Sequence, residues 1–551
     1  MKRMLALILI FATVLALVGC GGPGSNTDPS DNGTKMDTTG KYLLDEQRNE
    51  AIIQYNGTVG TSVEGNARVY YQIFVGSFSD SNGDGVGDLR GIINRFDYLN
   101  DGDPNSGLSL GVEGIWLSPI FLSPSYHKYD ASDYYQIDPK FGTMEDLQEL
   151  IDLCHQRDVQ IILDLVINHS STSHAWFQEF KEAHRNFDVS NRYYDYYSWS
   201  GDNTGTGTWS AIPSSTHYYE CNFSGDMPEL NYDNEAVRQE MVALAKYYLD
   251  MGVDGFRFDA AKYIYFGDEK RNADFWIWYM NELRAIKPDI YTVAEVWDSD
   301  AVTYPYFQST NCFNFSMSQT SGKISAAAKG GNVNQLYAYI DQYLEEIQAQ
   351  NAAAMLCSFI ANHDMDRAAG YLTTAMGHAQ MAASLNILLP GSPFIYYGEE
   401  IGMLGSRGGA NTDSNRRLAM LWGDGDTVKN PVGSSYSAEQ ANGTVAEQLA
   451  NGDSLYNHYK QLIAIRKANP EIAYGEFTPL EGEGKQGGFL CTYNGSTVAV
   501  IHNTTTEQAS IDLAELTDVS LTQLTAVIGA GNATLEGTIL TIDGQTSVVL
   551  R

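Results

Sequence analysis

Basic residues are scarce in this chain. Its 551 residues include 34 lysines and arginines against 68 aspartates and glutamates, a formal net charge of −34. Such a surface repels phosphate backbones and anionic lipid headgroups, which excludes nucleic acid and polyanions as partners and favours a neutral one. Proline is sparse too, at 15 residues, while apolar residues make up 43%. That combination excludes wholesale disorder and allows two or three domains around a large core. Cysteines never form a CxxC pair or any other close spacing, so no sulfur-ligated zinc site is expected. Beyond Cys20, the remaining Cys154, Cys221, Cys312, Cys357 and Cys491 are odd in number, so at least one stays unpaired. Cys357, inside an apolar run, reads as a small buried hydrophobe.

Long hydrophobic runs are missing except near the start, where Leu5 to Val18 follows Lys2 and Arg3. The run is too short for an ordinary spanning helix and reads as a signal peptide. It ends "LVGC", which resembles the lipobox at which bacterial lipoproteins are cleaved and lipidated, here on Cys20. The polar, glycine-rich stretch that follows suits a flexible tether. The expectation is an exported, monomeric protein anchored to the bacterial cell membrane outside the cytoplasm, touching lipid only through Cys20.

What is present is a repeated alternation of short β-rich runs and helix-period stretches. The runs are "RVYYQIFV", "GIWLSPI", "VQIILDLVI", "VDGFRFD", "IYTVAEV", "MLCSFIAN" and "PFIYYG", with an eighth suspected. Alternation of this kind predicts a parallel sheet wrapped by helices, and the α/β fold expected is a (β/α)8 TIM barrel. Some sixty residues rich in Tyr, Trp, Asn and Gly lie between "VINHS" and "NEAVRQE". They are too many for a βα loop and predict an inserted subdomain after the third strand. From about Tyr474 strands alternate with turns alone, as in a C-terminal antiparallel β-sandwich. The expected boundaries are 1–20 signal peptide, 21–60 tether, 61–169 and 233–473 barrel, 170–232 inserted subdomain, and 474–551 sandwich.

Charged groups fall at the ends of the strand-like runs. Asp164 and His169 end one, Arg257 and Asp259 another, Glu295 a third, and His363 and Asp364 a fourth. In a parallel barrel those ends converge on the catalytic face. Arg257 and Asp259 are two apart on one strand, so they project to one side, and the guanidinium is expected to lower the Asp259 pKa. Glu295 has no cation within two positions and is flanked by Val296 and Trp297, a setting that keeps a carboxyl protonated as a general acid. An ionised nucleophile beside a protonated acid suits acetal cleavage, with retention if the carboxyls lie about 5–5.5 Å apart. A lone acid at a strand end is more often a helix cap or surface charge; four such runs in order are not.

The segments "DLVINH", "GFRFDAAKY", "EVW" and "FIANHD", with "MPELN" in the insertion, resemble the ordered motifs of the α-amylase family, glycoside hydrolase family 13. The resemblance implies Asp259 as nucleophile, Glu295 as acid/base and Asp364 as the group that grips the distorted sugar's hydroxyls. It further implies Arg257, His169 and His363 as supports around that sugar, Tyr129 stacked on it, and His127 and Asp130 near its hydroxyls. Arg367, just after "NHD", is expected to pair with Asp130 and narrow the cleft's non-reducing end, as in related exo-acting glucosidases. The sequence departs from the family where many members carry Lys-His after the nucleophile. Here Lys262-Tyr263 stand in that place, and contacts to the leaving-group side are expected to change.

The stretch "DSNGDGVGDLRG" places oxygen donors at Asp80, Asn82, Asp84 and Asp88, with the carbonyl of Val86 at the seventh position of a calcium-type loop. Position twelve is Gly91 instead of glutamate and a strand precedes, so it is not an EF-hand. A hard, oxygen-only set predicts Ca²⁺, and the same calcium loop occurs in related family members. An Asx-turn cluster is the alternative. Asn168 matches the family residue that ligates a second calcium, and a plain hydrogen bond is its alternative.

The leading expectation is an α-amylase that cleaves internal α-1,4 bonds of starch, maltodextrins and maltooligosaccharides through a covalent glycosyl-enzyme. A 4-α-glucanotransferase or maltodextrin glucosidase would use the same triad. A glucan-binding protein without catalysis is the rival from another class, and the intact Asp259, Glu295 and Asp364 argue against it.

Overall fold

The computed structural model describes residues 65–551 apart from 105, 409–411, 481 and 483. The signal peptide, Cys20 and the tether lie outside the described residues. No described helix is long and apolar enough to cross a membrane.

Seven parallel strands form one sheet: β1 Tyr70–Ile73, β2 Gly114–Leu117, β3 Gln160–Leu165, β4 Gly255–Phe258, β5 Tyr291–Ala294, β6 Asn311–Cys312 and β7 Phe394–Tyr396. Their order across the sheet is β6-β5-β4-β3-β2-β1-β7. Single parallel bridges from Phe313 to Cys357 and from Phe359 to Phe394 join the two edges. The run "MLCSFIAN" thus takes the remaining place in the barrel through isolated bridges, and the suspected extra strand is the two-residue β6. The fold is a TIM barrel followed by a C-terminal antiparallel sheet domain, as its alternation predicts.

Apart from half-buried Gln160 and Asn311 at the starts of β3 and β6, the barrel strands are buried, so their sequences read as continuous apolar runs. Rings fill the interior. Tyr70 is stacked between Tyr291, at 4.7 Å, and Phe394, at 4.9 Å, with Trp116, Phe313 and Phe359 in the same cluster. Two glycines make this possible. A Cβ on Gly114 would lie 2.4 Å from the Tyr70 ring, and one on Gly255 would lie 1.7 Å from the Tyr291 carbonyl oxygen. Gly255 therefore lets β4 close onto β5, the two strands that carry Asp259 and Glu295 at their ends.

Helices follow the strands, and several begin at side-chain caps. Thr143 makes a reciprocal capping box with Asp146 at the start of Met144–Gln156, and Asn234 caps Glu235–Asp250. Between β3 and β4 lies the insertion, with the helix Ala175–Asn186 and a three-stranded sheet of Trp199–Ser200, Tyr218–Glu220 and Trp209–Ala211. A bridge from His169 to Glu229 holds it against the end of β3.

The C-terminal region has a five-stranded and a three-stranded antiparallel sheet. It packs on the helix Val333–Gln350, where Tyr337 meets Phe489 at 5.0 Å and Asn334 donates to the Gln486 carbonyl at 3.0 Å. All five described cysteines are free and buried, as expected for Cys357.

Candidate active site

The register of three strands assembles the site. Asp164 on β3 and Val293 on β5 both lie opposite Arg257 on β4. Asp259 and Glu295 each follow two residues later, so alternation aims all of them to one side. Arg257 is buried, and its Nη1 donates to Asp164 Oδ1 and Asp259 Oδ1, each at 2.7 Å. Its Nη2 donates to Glu295 Oε2. Below, the guanidinium rests 5.1 Å from the Trp116 ring centroid, and the Trp116 indole N–H donates to Asp164 at 3.2 Å. The barrel's aromatic core thereby supports the charged layer directly.

One electrostatic expectation, the raised pKa of Glu295, holds with an added partner, and one, for Asp259, needs correction. Glu295 does have a cation: Arg257, hidden in sequence because it approaches across the β4–β5 pairing. Burial still outweighs it and, with Asp259 and Asp364 nearby, pushes Glu295 up to about 7. Asp259 moves opposite to expectation. Burial, together with Asp164 and Asp364, raises it to about 6 against the pull of Arg257, because one guanidinium is shared among three carboxyls. It is ionised at neutral pH all the same.

Asp364 behaves differently. Burial opposes its ionisation, but His363, Arg417 and Arg257 together outweigh burial and hold it well below the usual carboxylate range. Arg417 Nη2 donates to Asp364 Oδ1 at 2.6 Å, and His363 Nε2 lies 2.9 Å from Oδ2. Burial lowers the pKa of His363, and the Gln72 amide donates to its Nδ1 at 2.7 Å. The imidazole thus serves as a neutral N–H donor, and Arg417 is the permanent cation.

The triad lines one cleft of about 1360 Å³ together with Tyr129, His127, His169, Lys262, Tyr263 and Arg367. Arg257 and His363 lie beneath it, buried. Tyr129 donates its hydroxyl to Asp164 at 2.9 Å and stacks on His363 with an interplanar angle of 2°. Lys128, at φ +67°, turns the chain just before it and is tied to Asp138 at 2.6 Å. His169 Nε2–H donates to the Tyr129 carbonyl at 3.1 Å, and burial lowers its pKa to about 4.

Other expected contacts are not made. Asp130 accepts from the hydroxyls of Ser123, at 2.8 Å, and Ser125 and does not line the cleft. Arg367 donates instead to the carbonyls of Arg416 and Tyr397 and lies over the Tyr396 and Tyr397 rings. The expected Arg367–Asp130 pair does not form: Asp130 bonds to Ser123 and Ser125, and Arg367 bonds through Nε and Nη1 to the Arg416 and Tyr397 carbonyls, leaving its Nη2 buried without a partner. Lys262 Nζ donates to the Trp297 carbonyl at 3.0 Å and Asp298 at 2.8 Å, so its charge pins a loop of the protein. Sequence reasoning missed Asp164 as an Arg257 partner, and also Arg417, Tyr126, Phe223 and Trp297. The strand-end position of Asp164 was a usable signal; Arg417 sits in a distant loop with none.

In the candidate metal loop, Asp80 accepts from the amides of Asn82, Gly83 and Gly85 and from the Thr427 hydroxyl. Asn82 accepts from Asp84 N–H, and Asp84 from Val86 N–H. Asp88 caps the helix Leu89–Asn94 and accepts from Ser81. These are successive Asx turns. Among the described residues no group of three or more His, Cys, Asp or Glu is arranged to hold a metal. The donor set itself is all oxygen, the chemistry calcium takes. Asn168 is buried with its Oδ1 unpartnered, while its Nδ2 meets His169 Nδ1 at 2.8 Å.

Comparison with known proteins agrees with this geometry. The model of the α-amylase catalytic domain matches residues 72–475. Alpha-amylase 3 of Dictyoglomus thermophilum is 37% identical over 404 residues, 72% of this chain and 76% of that protein. Oligo-1,6-glucosidase of Bacillus cereus is 30% identical over 544 residues, 84% of this chain and 94% of its own length. Among solved structures, Eubacterium rectale Amy13B superposes with a TM-score of 0.82 at 35% identity, covering 91% of this chain and 98% of that one. With the family model spanning most of the chain and the triad on one cleft, the protein belongs to the α-amylase family of glycoside hydrolases, family 13.

Proposed function

We propose that this enzyme cleaves internal α-1,4 bonds of starch and maltooligosaccharides with retention at the anomeric carbon. The observation that carries the reading is Arg257, which holds Asp259 and Glu295 on adjacent nitrogens of one guanidinium. Carboxyls bridged in that way suit the spacing of about 5–5.5 Å that retention uses, and leave little room for the separation of about 6.5–9.5 Å that inversion needs.

In this reading Glu295, protonated at its raised pKa, gives its proton to the glycosidic oxygen while Asp259 attacks the anomeric carbon and forms a glycosyl ester. Glu295 then takes a proton from water, which displaces Asp259. Asp364, kept ionised by Arg417, is an acceptor for sugar hydroxyls throughout. Endo action is supported by the cleft's size. At about 1360 Å³ it exceeds the roughly 300–1,000 Å³ common for sites that hold one small ligand. The Arg367–Asp130 pair that would narrow one end is also not made.

We further propose calcium for the loop of Asp80, Asn82, Asp84, Val86 and Asp88, on the strength of its oxygen-only donors, and for Asn168 on its unpartnered Oδ1.

Three measurements check these readings. Incubation with maltoheptaose, followed by ¹H NMR and chromatography, is expected to release mixed short oligosaccharides first as the α-anomer; glucose alone, or the β-anomer first, would contradict it. The pH profile of kcat/KM should be bell-shaped, since activity needs Asp259 ionised and Glu295 protonated. It should rise through about 6 and fall through about 7, and the falling limb should vanish in Glu295→Gln alongside most of the activity. Calcium added after chelation should raise the Tm of the wild type and raise it less in Asp84→Asn; equal Tm with and without calcium would dismiss the ion.

A further inference from the structure

Strand β1 carries "YYQI", and its amide is buried as completely as its rings: Gln72 is 1% exposed. Tyr70 and Gln72 are two apart and face the barrel interior, Tyr70 within the stacked rings and Gln72 one layer nearer the catalytic face. The register partners of Gln72 are Trp116 on β2 and Tyr396 on β7. Burying an amide costs free energy unless its hydrogen bonds are made. A methionine would fill the same length of space without that cost. What glutamine adds is an N–H aimed at one atom, for its Nε2 lies 2.7 Å from His363 Nδ1.

The partners of His363 fix which nitrogen carries its proton. Asp364 is ionised and only accepts, so the 2.9 Å contact from His363 Nε2 to its Oδ2 requires the N–H at Nε2. Burial keeps the imidazole neutral, which leaves a lone pair on Nδ1 that needs a donor. Gln72 supplies it. The same Nε2 lies 2.6 Å from the Tyr129 hydroxyl oxygen, with the two ring planes 2° apart, and that hydroxyl donates onward to Asp164 at 2.9 Å. Asp164 also accepts from Arg257. Donors therefore run in one direction, from Gln72 through His363 and Tyr129 to Asp164. In the opposite tautomer an Nε2 lone pair would face the Asp364 carboxylate, and the Tyr129 hydroxyl would turn toward it and leave Asp164.

We propose that Gln72 is a positioning residue for the reaction: its N–H on Nδ1 keeps His363 neutral with the proton on Nε2, and so keeps Asp364 and Tyr129 aligned on the sugar as its ring flattens. The proposal rests on the retaining reading above. Gln72 does not line the cleft, so it acts through His363. Asp364 and Tyr129 grip the distorted ring more closely than the relaxed one in that reading, and loss of their alignment weakens binding of the transition state more than binding of the substrate.

Two measurements test it. In wild type labelled with ¹⁵N-histidine at pH 7, with the His363→Asn chain identifying the signal, His363 is expected to show a pyridine-type Nδ1 and a pyrrole-type Nε2. The near-isosteric Gln72→Glu replaces the N–H with an acceptor and should turn both nitrogens pyrrole-type, as in an imidazolium. Gln72→Met supplies neither donor nor acceptor. It should raise the Ki of acarbose, whose flattened ring resembles the transition state, by about tenfold while the KM for maltoheptaose stays within about twofold. Both constants are independent of the folded fraction, so a poorly folding variant does not mask the result. A proton on Nδ1 in the wild type, unchanged nitrogens in Gln72→Glu, or a Ki that stays constant or moves only in step with KM would overturn the proposal. The tautomer is read without substrate, so a failure of the retaining reading, seen as the β-anomer released first by the wild type, is told apart from a failure of this one.

Discussion

A single buried guanidinium organises this enzyme. Arg257 makes ion pairs with Asp164, Asp259 and Glu295 while resting on the Trp116 ring. A charge removed from water is costly unless it is paired and hydrogen-bonded, and a carboxylate is no cheaper. Each of the four groups is therefore held in place by the others. The arrangement demands that β3, β4 and β5 keep their mutual register, since a slip of one residue would turn Arg257 or its partners to the opposite face. Gly255 permits the close approach of β4 and β5, and the stacked rings of Tyr70, Tyr291 and Phe394 fill the barrel beneath.

Sharing one cation among three acids also divides their chemistry. None of the three gains enough from Arg257 to offset burial fully, so Asp259 and Glu295 both titrate higher than free carboxylates, with Glu295 the higher of the two. Asp364 has a guanidinium of its own in Arg417 and stays ionised. One cluster thus holds a nucleophile, a proton donor and a permanent anion at neutral pH, and Asp364 differs from the other two by having Arg417 within reach.

How much of this was legible in the sequence follows from distance along the chain. Asp259, Glu295 and Asp364 stand at the ends of β-rich runs, where a parallel barrel converges, and the raised pKa of Glu295 follows from its apolar neighbours. Interactions across strands were not legible. Arg257 reaches Glu295 over 38 residues and Asp164 over 93, so the shared cation, and the upward effect of burial and Asp164 on Asp259, emerge only from register. Arg417 comes from a loop 53 residues beyond Asp364. Arg367 lines the cleft as expected but bonds to the Arg416 and Tyr397 carbonyls, whereas Asp130 accepts from Ser123 and Ser125 away from the cleft. The seventh barrel position reads as a full strand in sequence and makes only single bridges, while β6 pairs over two residues, too few to give a periodic signal.

The central claim is that Asp259, held beside Glu295 by Arg257, becomes covalently bonded to the sugar. A fluorosugar donor such as 5-fluoro-α-D-glucosyl fluoride slows breakdown of that ester relative to its formation, and peptide mass spectrometry then locates it. The account predicts one fluoroglycosyl group per chain, on the peptide that contains Asp259, and none after Asp259→Asn. An adduct on Glu295 or Asp164, or turnover of natural substrate by a chain that never forms an adduct, would contradict it.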